Sequence, residues 1–121
     1  MSLDAPQRRR YARQVLLAEI GEPGQQCLLA ARFRPGRGCD PDAYAVAAEY
    51  LERAGLCFDA HSEHVKVADP QSVVRLAGAA ELSKPAAVIA GAFAAVEHLK
   101  EVLGIAEARD LPADLRLHDE G

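Results

Sequence analysis

The chain has 121 residues, half of them hydrophobic and 5% aromatic, and its formal net charge at pH 7 is −4. This length suits one domain with one core and leaves no room for a second catalytic domain. The acidic balance gives the molecule as a whole no electrostatic reason to bind nucleic acid or anionic lipid. We therefore expect a single domain that binds neither nucleic acid nor membranes.

Cysteine usage and apolar runs bear on the compartment. Cys27, Cys39 and Cys57 form no CxxC pair and leave an odd thiol, and no apolar secretory stretch precedes them. The longest apolar run, Ala86–Val96, is shorter than the roughly 20 residues that cross a bilayer. We expect reduced thiols, a cytoplasmic location and no membrane span.

The first third of the chain predicts two helices and a strand. An amphipathic helix is expected over Pro6–Ile20, followed by a short helix after Pro23 and a strand over Ala30–Arg34. The short helix is expected to turn three side chains inward: Cys27, Leu28 and Leu29.

A loop rich in glycine and proline, Pro35–Pro41, separates that strand from the next helix. Asp40 is predicted to cap the helix and Pro41 to be its first residue, and the helix should end near Gly55. Its apolar face consists of Tyr44, Ala47, Ala48 and Leu51. A strand, a glycine loop and a helix in this order are typical of a mononucleotide-binding unit.

Two short strands are predicted next, over Leu56–Phe58 and His64–Ala68, and they could pair as a hairpin or lie in parallel. Asp69 and Pro70 then favour a short helix over Gln71–Ala77.

The longest helix is predicted to run from Ser83 to about Leu103, with Gly104 as its stop, and a last edge strand over Leu115–His118. We expect the helix to approach its neighbours closely through a face of small and apolar residues: Val88, Ala92, Val96, Leu99 and Leu103. Together these elements predict a helix-rich α/β fold with a small sheet of few strands.

Two separated segments resemble the ThiF/MoeB/HesA adenylyltransferases, the family that includes ubiquitin-activating enzymes. The first is the Arg-Tyr-x-Arg-Gln helix that starts at Arg10, with the Gly24-Gln25 pair behind it. The second is the stretch from Ala90 to Gly104, which resembles the family's late helix. The resemblance implies a single truncated domain over residues 1–121 with a reduced Rossmann-like unit. Its parts would be an N-terminal helical segment (1–29), a degenerate nucleotide-fold remnant (30–69), and C-terminal helices with a tail (70–121).

The resemblance also implies where a nucleotide site would lie. Gly36 and Gly38 match two glycines of the family's phosphate loop, whereas Asp40 brings negative charge there and Pro41 lacks an N–H. Asp59 is a possible relic of the family's ribose contact and Asp69 of its magnesium ligand, although both also suit ordinary turn and cap positions.

Catalytic groups of the family are missing. The chain has no Asn, so the family's Asn-Leu-x-Arg-Gln segment is absent, and so are its zinc-binding CxxC pairs. Arg13 matches the Arg that reaches the partner's ATP phosphates in the resembling enzymes, and could equally form a surface ion pair. The resemblance therefore implies a non-catalytic, dimeric accessory protein without a bound cofactor. Its partner would be an adenylyltransferase of this type or a ubiquitin-like protein, and an active ATP- and magnesium-dependent enzyme is the alternative.

Two further hypotheses remain open. Cys57, His61 and His64 have donor types that could hold a metal, with Cys39 or His98 as a fourth ligand. Basic residues also cluster in two stretches, which are either solvated surface or a confined anion site: Arg8, Arg9, Arg10 and Arg13, and then Arg32, Arg34 and Arg37.

Overall fold

The computed structural model describes residues 21–118 as a helix-rich α/β fold with a small parallel sheet. The elements in chain order are α1 (Gly21–Ala30), β1 (Arg32–Pro35), α2 (Pro41–Ala54), β2 (Cys57–Phe58), β3 (His64–Val65), α3 (Pro70–Ala77), a 3-10 turn (Ala80–Leu82) and α4 (Ser83–Val102). The predicted α/β class and the long late helix are confirmed. The helix predicted over Pro6–Ile20 lies outside the described residues.

The three strands form one parallel sheet with β1 in the middle. Arg32 is paired with Cys57 on one side of β1, and Arg34 with His64 on the other. The two later strands therefore lie on opposite edges of β1 rather than forming a hairpin, which decides the alternative that the sequence left open. After β1 the chain adds β2 on one side and then crosses to add β3 on the other side, so the strand order reverses at β1. In open parallel sheets, ligands bind at such a switch point.

Local capping sets the bounds of α2 and α3. Asp40 and Asp69 each cap a helix that begins with proline, and Gly55 and Gly78 end these helices in the left-handed conformation, at φ of 114° and 72°. The predicted bounds of α2 are confirmed, and α3 ends where predicted but begins one residue earlier, at Pro70.

The core consists of two adjoining clusters. One lies between the sheet, α1, α2 and α4 and contains Leu28, Phe33, Ala47, Leu51, Ala54, Leu56, Val65, Ala94 and Ala95. The other lies where α3 meets the beginnings of α2 and α4 and contains Ala43, Val73, Leu76, Ala77, Ala86, Ala87 and Ala90.

The face of α4 that was expected to be buried is confirmed only in part, because Leu99 and Leu103 pack half-buried against the core whereas two of its valines do not. Val88 and Val96 are 47% and 55% exposed, and the buried side is instead formed by Ala86, Ala87, Ala90, Gly91, Ala94, Ala95, Glu97 and His98. The reason is the close approach of α2, because a Cβ at Gly91 would meet the carbonyl oxygen of Ala43 and lie 2.7 Å from Cβ of Val46. Only glycine at position 91 allows that separation of the two backbones.

Helix α1 also differs from the prediction. Leu28 is buried and Leu29 partly so, but Cys27 is exposed. Gln25 is fully buried in its place and donates from Nε2 to the carbonyl oxygen of Ala54, at 2.7 Å. This hydrogen bond satisfies one end of the buried amide and ties α1 to the end of α2.

The prediction of a last strand over Leu115–His118 is wrong. The segment carries no strand, and its backbone is tied to the body by a bond from the N–H of Leu117 to the carbonyl oxygen of Leu76. The backbone of His118 lies against Gly78. The segment therefore passes the end of helix α3, which offers no open strand edge for pairing.

Within residues 21–118, no single helix is long and apolar enough to cross a membrane. Helix α3 combined with the 3-10 turn and α4 meets the same length and composition test, but the two parts are bent by 113° at the break.

Candidate functional site

The loop between β1 and α2 carries the residues at which the sequence places a phosphate. Asp40 accepts a hydrogen bond at Oδ2 from the N–H of Ala43, at 2.9 Å, and its own N–H donates to the carbonyl oxygen of Ala68, at 2.8 Å. Pro41 follows without an N–H. The positive end of α2 therefore already holds a carboxylate, and a phosphate would have to displace it.

The two glycines of this loop have different roles. Gly38 has φ of +73° and open space around it, so it serves the turn. Gly36 lies against β3, since a Cβ there would come 3.0 Å from Cδ2 of His64 and 3.4 Å from the carbonyl oxygen of Val65. A side chain at Gly36 would therefore crowd the carboxyl end of β3.

Asp59 and Asp69 occupy turn and cap positions. Asp59 accepts at Oδ1 from the N–H of His61, at 2.9 Å. Asp69 accepts at Oδ1 from the N–H of Ser72, at 2.7 Å, and this hydrogen bond is the main cause that lowers the pKa of the Asp69 carboxyl. Both carboxylates are thus engaged by neighbouring backbone, which is the ordinary alternative to the ribose and magnesium roles.

A cavity of about 430 Å³ opens at the carboxyl ends of β1 and β3. Its charged and polar lining comes from four separate segments: Arg37 after β1, His64 and Lys66 at the end of β3, Asp69, Ser72 and Arg75 in the cap and along α3, and Asp110 beyond α4. The position at the switch point of the sheet makes this cavity the candidate functional site.

Sequence reasoning placed only part of this lining. Arg37 belonged to the predicted basic stretch, whereas Lys66, Arg75 and Asp110 were missed. Lys66 directly follows β3, where parallel sheets place functional side chains, but the predicted strand extended to Ala68 and placed Lys66 inside it. Arg75 and Asp110 carry no local signal, since only the packing of α3 and the C-terminal segment brings them there.

The other arginines of that basic stretch do not line the cavity. Arg32 donates to the carbonyl oxygens of Leu29 and Ala31, at 3.2 and 2.9 Å. Arg34 donates from Nε to the carbonyl oxygen of Ser62. Arg8, Arg9, Arg10 and Arg13 lie outside the described residues.

A buried carboxylate holds the segment that carries Asp110 to the cavity. Glu97 is 3% exposed and accepts at Oε1 from the N–H and Nε of Arg109, at 3.0 and 3.2 Å, and at Oε2 from Lys100, at 2.6 Å. The hydrogen bond from Lys100 is the first cause that lowers the pKa of Glu97, to about 2. Ala108, which precedes Arg109, is also held at its backbone. Its N–H donates to the Glu101 carboxylate at 2.9 Å, and its carbonyl oxygen accepts from Nζ of Lys66 at 3.2 Å.

His98 is the other buried ionisable group of α4. It is 4% exposed, and its Nε2 makes no hydrogen bond in the part of the chain that the structure describes. Burial lowers the pKa of the imidazole, although Glu101 and Glu63 act in the opposite direction. Burial therefore favours the neutral form of the ring in the folded chain.

The residues proposed for a metal site are spread over the sheet. Cys57 lies on β2 and His64 on β3, on opposite edges of β1, and His61 lies in the loop between them. Among residues 21–118, no three or more His, Cys, Asp or Glu side chains form a group that could hold a metal.

Comparison with protein-family models, with curated proteins and with solved structures finds no match. The resemblance to the ThiF/MoeB/HesA family thus rests on the sequence motifs alone, and membership remains a proposal.

Proposed function

We propose that this chain is a non-catalytic binding protein of ThiF-like descent, which keeps a small parallel sheet and a dimer surface but does not adenylate a substrate. The observation that carries the proposal is the Asp40 carboxylate at the N-terminus of α2, bonded to the N–H of Ala43 at 2.9 Å. Nucleotidyl transfer depends on positioned cations and free N–H groups around the phosphates. Asp40, Pro41 and the acidic Asp42 in the first turn work against both.

Calorimetry with magnesium-ATP tests the catalytic part of the proposal. We expect no adenylation and no tight binding. A dissociation constant in the low micromolar range, about −8 kcal/mol, would contradict the proposal, because such affinity requires an intact phosphate site. Asp40→Asn is the matched control, since asparagine caps a helix about as well as aspartate but removes the charge. If ATP binds the Asn variant and not the wild type, the charge of Asp40 is the block.

The dimer surface that we propose is the solvent side of the α2–α4 pair, here named the α2–α4 face and formed by Tyr50, Val88, Ala92, Val96 and Leu99. Tyr50, Val88 and Val96 are exposed, and Leu99 is partly buried. Contiguous apolar patches of more than a few hundred Å² are uncommon on monomers and mark interfaces. A two-fold dimer is the expected closed form.

Sedimentation equilibrium at micromolar concentration tests the dimer. We expect a mass of twice the 13.0 kDa chain mass, and a shift towards monomer for Val96→Asp and Leu99→Asp. Ile105→Asp, an exposed apolar position beyond α4, is the matched control and should leave the dimer intact. A clean wild-type monomer would refute self-association and leave this face to a heterologous partner, either an adenylyltransferase of this type or a ubiquitin-like protein.

A further inference from the structure

Three cations line the cavity at the carboxyl ends of β1 and β3, and the charge of one of them, Arg75, helps to lower the pKa of the nearby Asp69 carboxyl. They are Arg37, Lys66 and Arg75, and none of them forms an ion pair within the described part of the chain, where the ion pairs involve Arg53, Lys100 and Arg109. The three come from different segments of a chain whose net charge is −4. Their convergence on one cavity therefore comes from the tertiary fold and not from a basic composition.

The hydrogen bonds of these cations leave donors to spare. Arg75 donates from Nη2 to Oγ of Ser72, at 3.1 Å, and Lys66 donates from Nζ to the carbonyl oxygen of Ala108, at 3.2 Å. Arg37 is exposed and has no bond to a described residue that would hold it away from the cavity. A guanidinium carries five N–H donors and an ammonium three, so most of them remain available to a ligand.

The two carboxylates of the lining oppose this positive charge, and they differ in the contacts that place them. Asp69 is held by the N–H of Ser72 as the cap of α3. Asp110 follows Arg109, whose N–H is bonded to Glu97, so the C-terminal segment brings one carboxylate to the rim. A ligand would meet three cations and two carboxylates, of which Asp69 already accepts a hydrogen bond as the cap of α3.

We propose that this cavity binds a small anion with two or more carboxylate or phosphate groups. Charge-assisted hydrogen bonds from arginine to carboxylate or phosphate are the strong ones, and guanidinium geometry suits both groups. No Phe, Tyr or Trp side chain is among the described residues that line the cavity, where the aromatic ring is the imidazole of His64. The site is independent of the α2–α4 face.

Calorimetric titration of the full chain at low salt tests this site, with citrate as the tricarboxylate probe and inorganic pyrophosphate as the phosphate probe. We expect saturable binding of at least one probe, weakened by added salt. Arg37→Ala and Arg75→Ala should each weaken it about tenfold or more, because each removes charge-assisted hydrogen bonds. Asp110→Asn should tighten it. The preferred probe decides between carboxylate and phosphate ligands.

Arg53→Ala is the matched control, since Arg53 is an exposed cation on α2 that lies away from the cavity and pairs with Glu49. It should leave probe affinity unchanged. Both cavity arginines are exposed, so their variants should keep the wild-type melting temperature, and Lys66→Gln provides a third variant. The proposal is overturned if neither probe saturates the wild type by about 10 mM. It is also overturned if the Arg37→Ala/Arg75→Ala double variant binds as well as the wild type, or if Arg53→Ala loses as much affinity.

Discussion

Gly91 of α4 lies directly against the carbonyl oxygen of Ala43 in α2, with no room for a Cβ between them. Both residues are buried where the two helices cross. Because the neighbouring atom is backbone, it cannot rotate away as a side chain would. The separation of α2 and α4, and with it the position of the loop that precedes α2, depends on this contact.

Replacing Gly91 by alanine should therefore destabilise the fold, by about 1–3 kcal/mol, as overpacking of a tight core contact does. In an exposed helix the same change would stabilise by about 1 kcal/mol, so the expected sign is the reverse of helix propensity. Urea unfolding measures the difference. Gln71→Ala, at an exposed position of α3, should change stability by less than about 0.5 kcal/mol. A more stable Gly91→Ala variant would contradict the close contact.

A larger side chain at Ala95 should destabilise the fold, as one at Gly91 should. It is 1% exposed and belongs to the core cluster around Phe33, so Ala95→Leu is expected to cost about 1–3 kcal/mol and to lower the melting temperature. Ala45→Leu makes the same change at an exposed position of α2 and should leave the melting temperature nearly unaltered. Equal effects of the two substitutions would be incompatible with a buried Ala95.

The Glu97 carboxylate should make part of the free energy of unfolding sensitive to acid. Because its pKa falls from 4.5 to about 2, its charged form stabilises the folded chain above pH 4.5, and this contribution is lost as the pH falls towards 2. The difference in urea midpoint between wild type and Glu97→Gln should thus be constant above about pH 5 and shrink below it. A difference that does not change with pH would show that the carboxylate charge is not what holds Arg109 and Lys100.

His98 should make a second part of the free energy of unfolding depend on pH, in a range closer to neutral pH. Its pKa is lowered below 6.5, so the unfolded chain binds a proton that the folded chain resists, and stability is full above pH 6.5 and lost as the pH falls below it. Thermal unfolding between pH 7.5 and 5.5 should show a smaller decline for His98→Phe than for wild type. His61→Ala removes an exposed imidazole instead and should leave the decline unchanged. Parallel curves for wild type and His98→Phe would rule out a buried neutral ring.

Local sequence patterns were enough to predict the α/β class and to predict where the capped helices begin and end. Asp40 with Pro41 begins α2 and Asp69 with Pro70 begins α3, because a cap is made within three or four residues and needs no distant partner. The local pattern of glycine and proline also located the loop between β1 and α2.

Which sides of these elements are buried, and which side chains line the cavity, depends on contacts between distant parts of the chain. Val88 and Val96 are the more apolar side chains of α4, yet the contact with Ala43 selects the face of Gly91, because backbone separation outweighs hydrophobicity at a close crossing. Arg75 and Asp110 reach the cavity through the packing of α3 and the hold of Glu97 on the C-terminal segment, and contacts between residues so far apart in the chain leave no pattern in the local sequence.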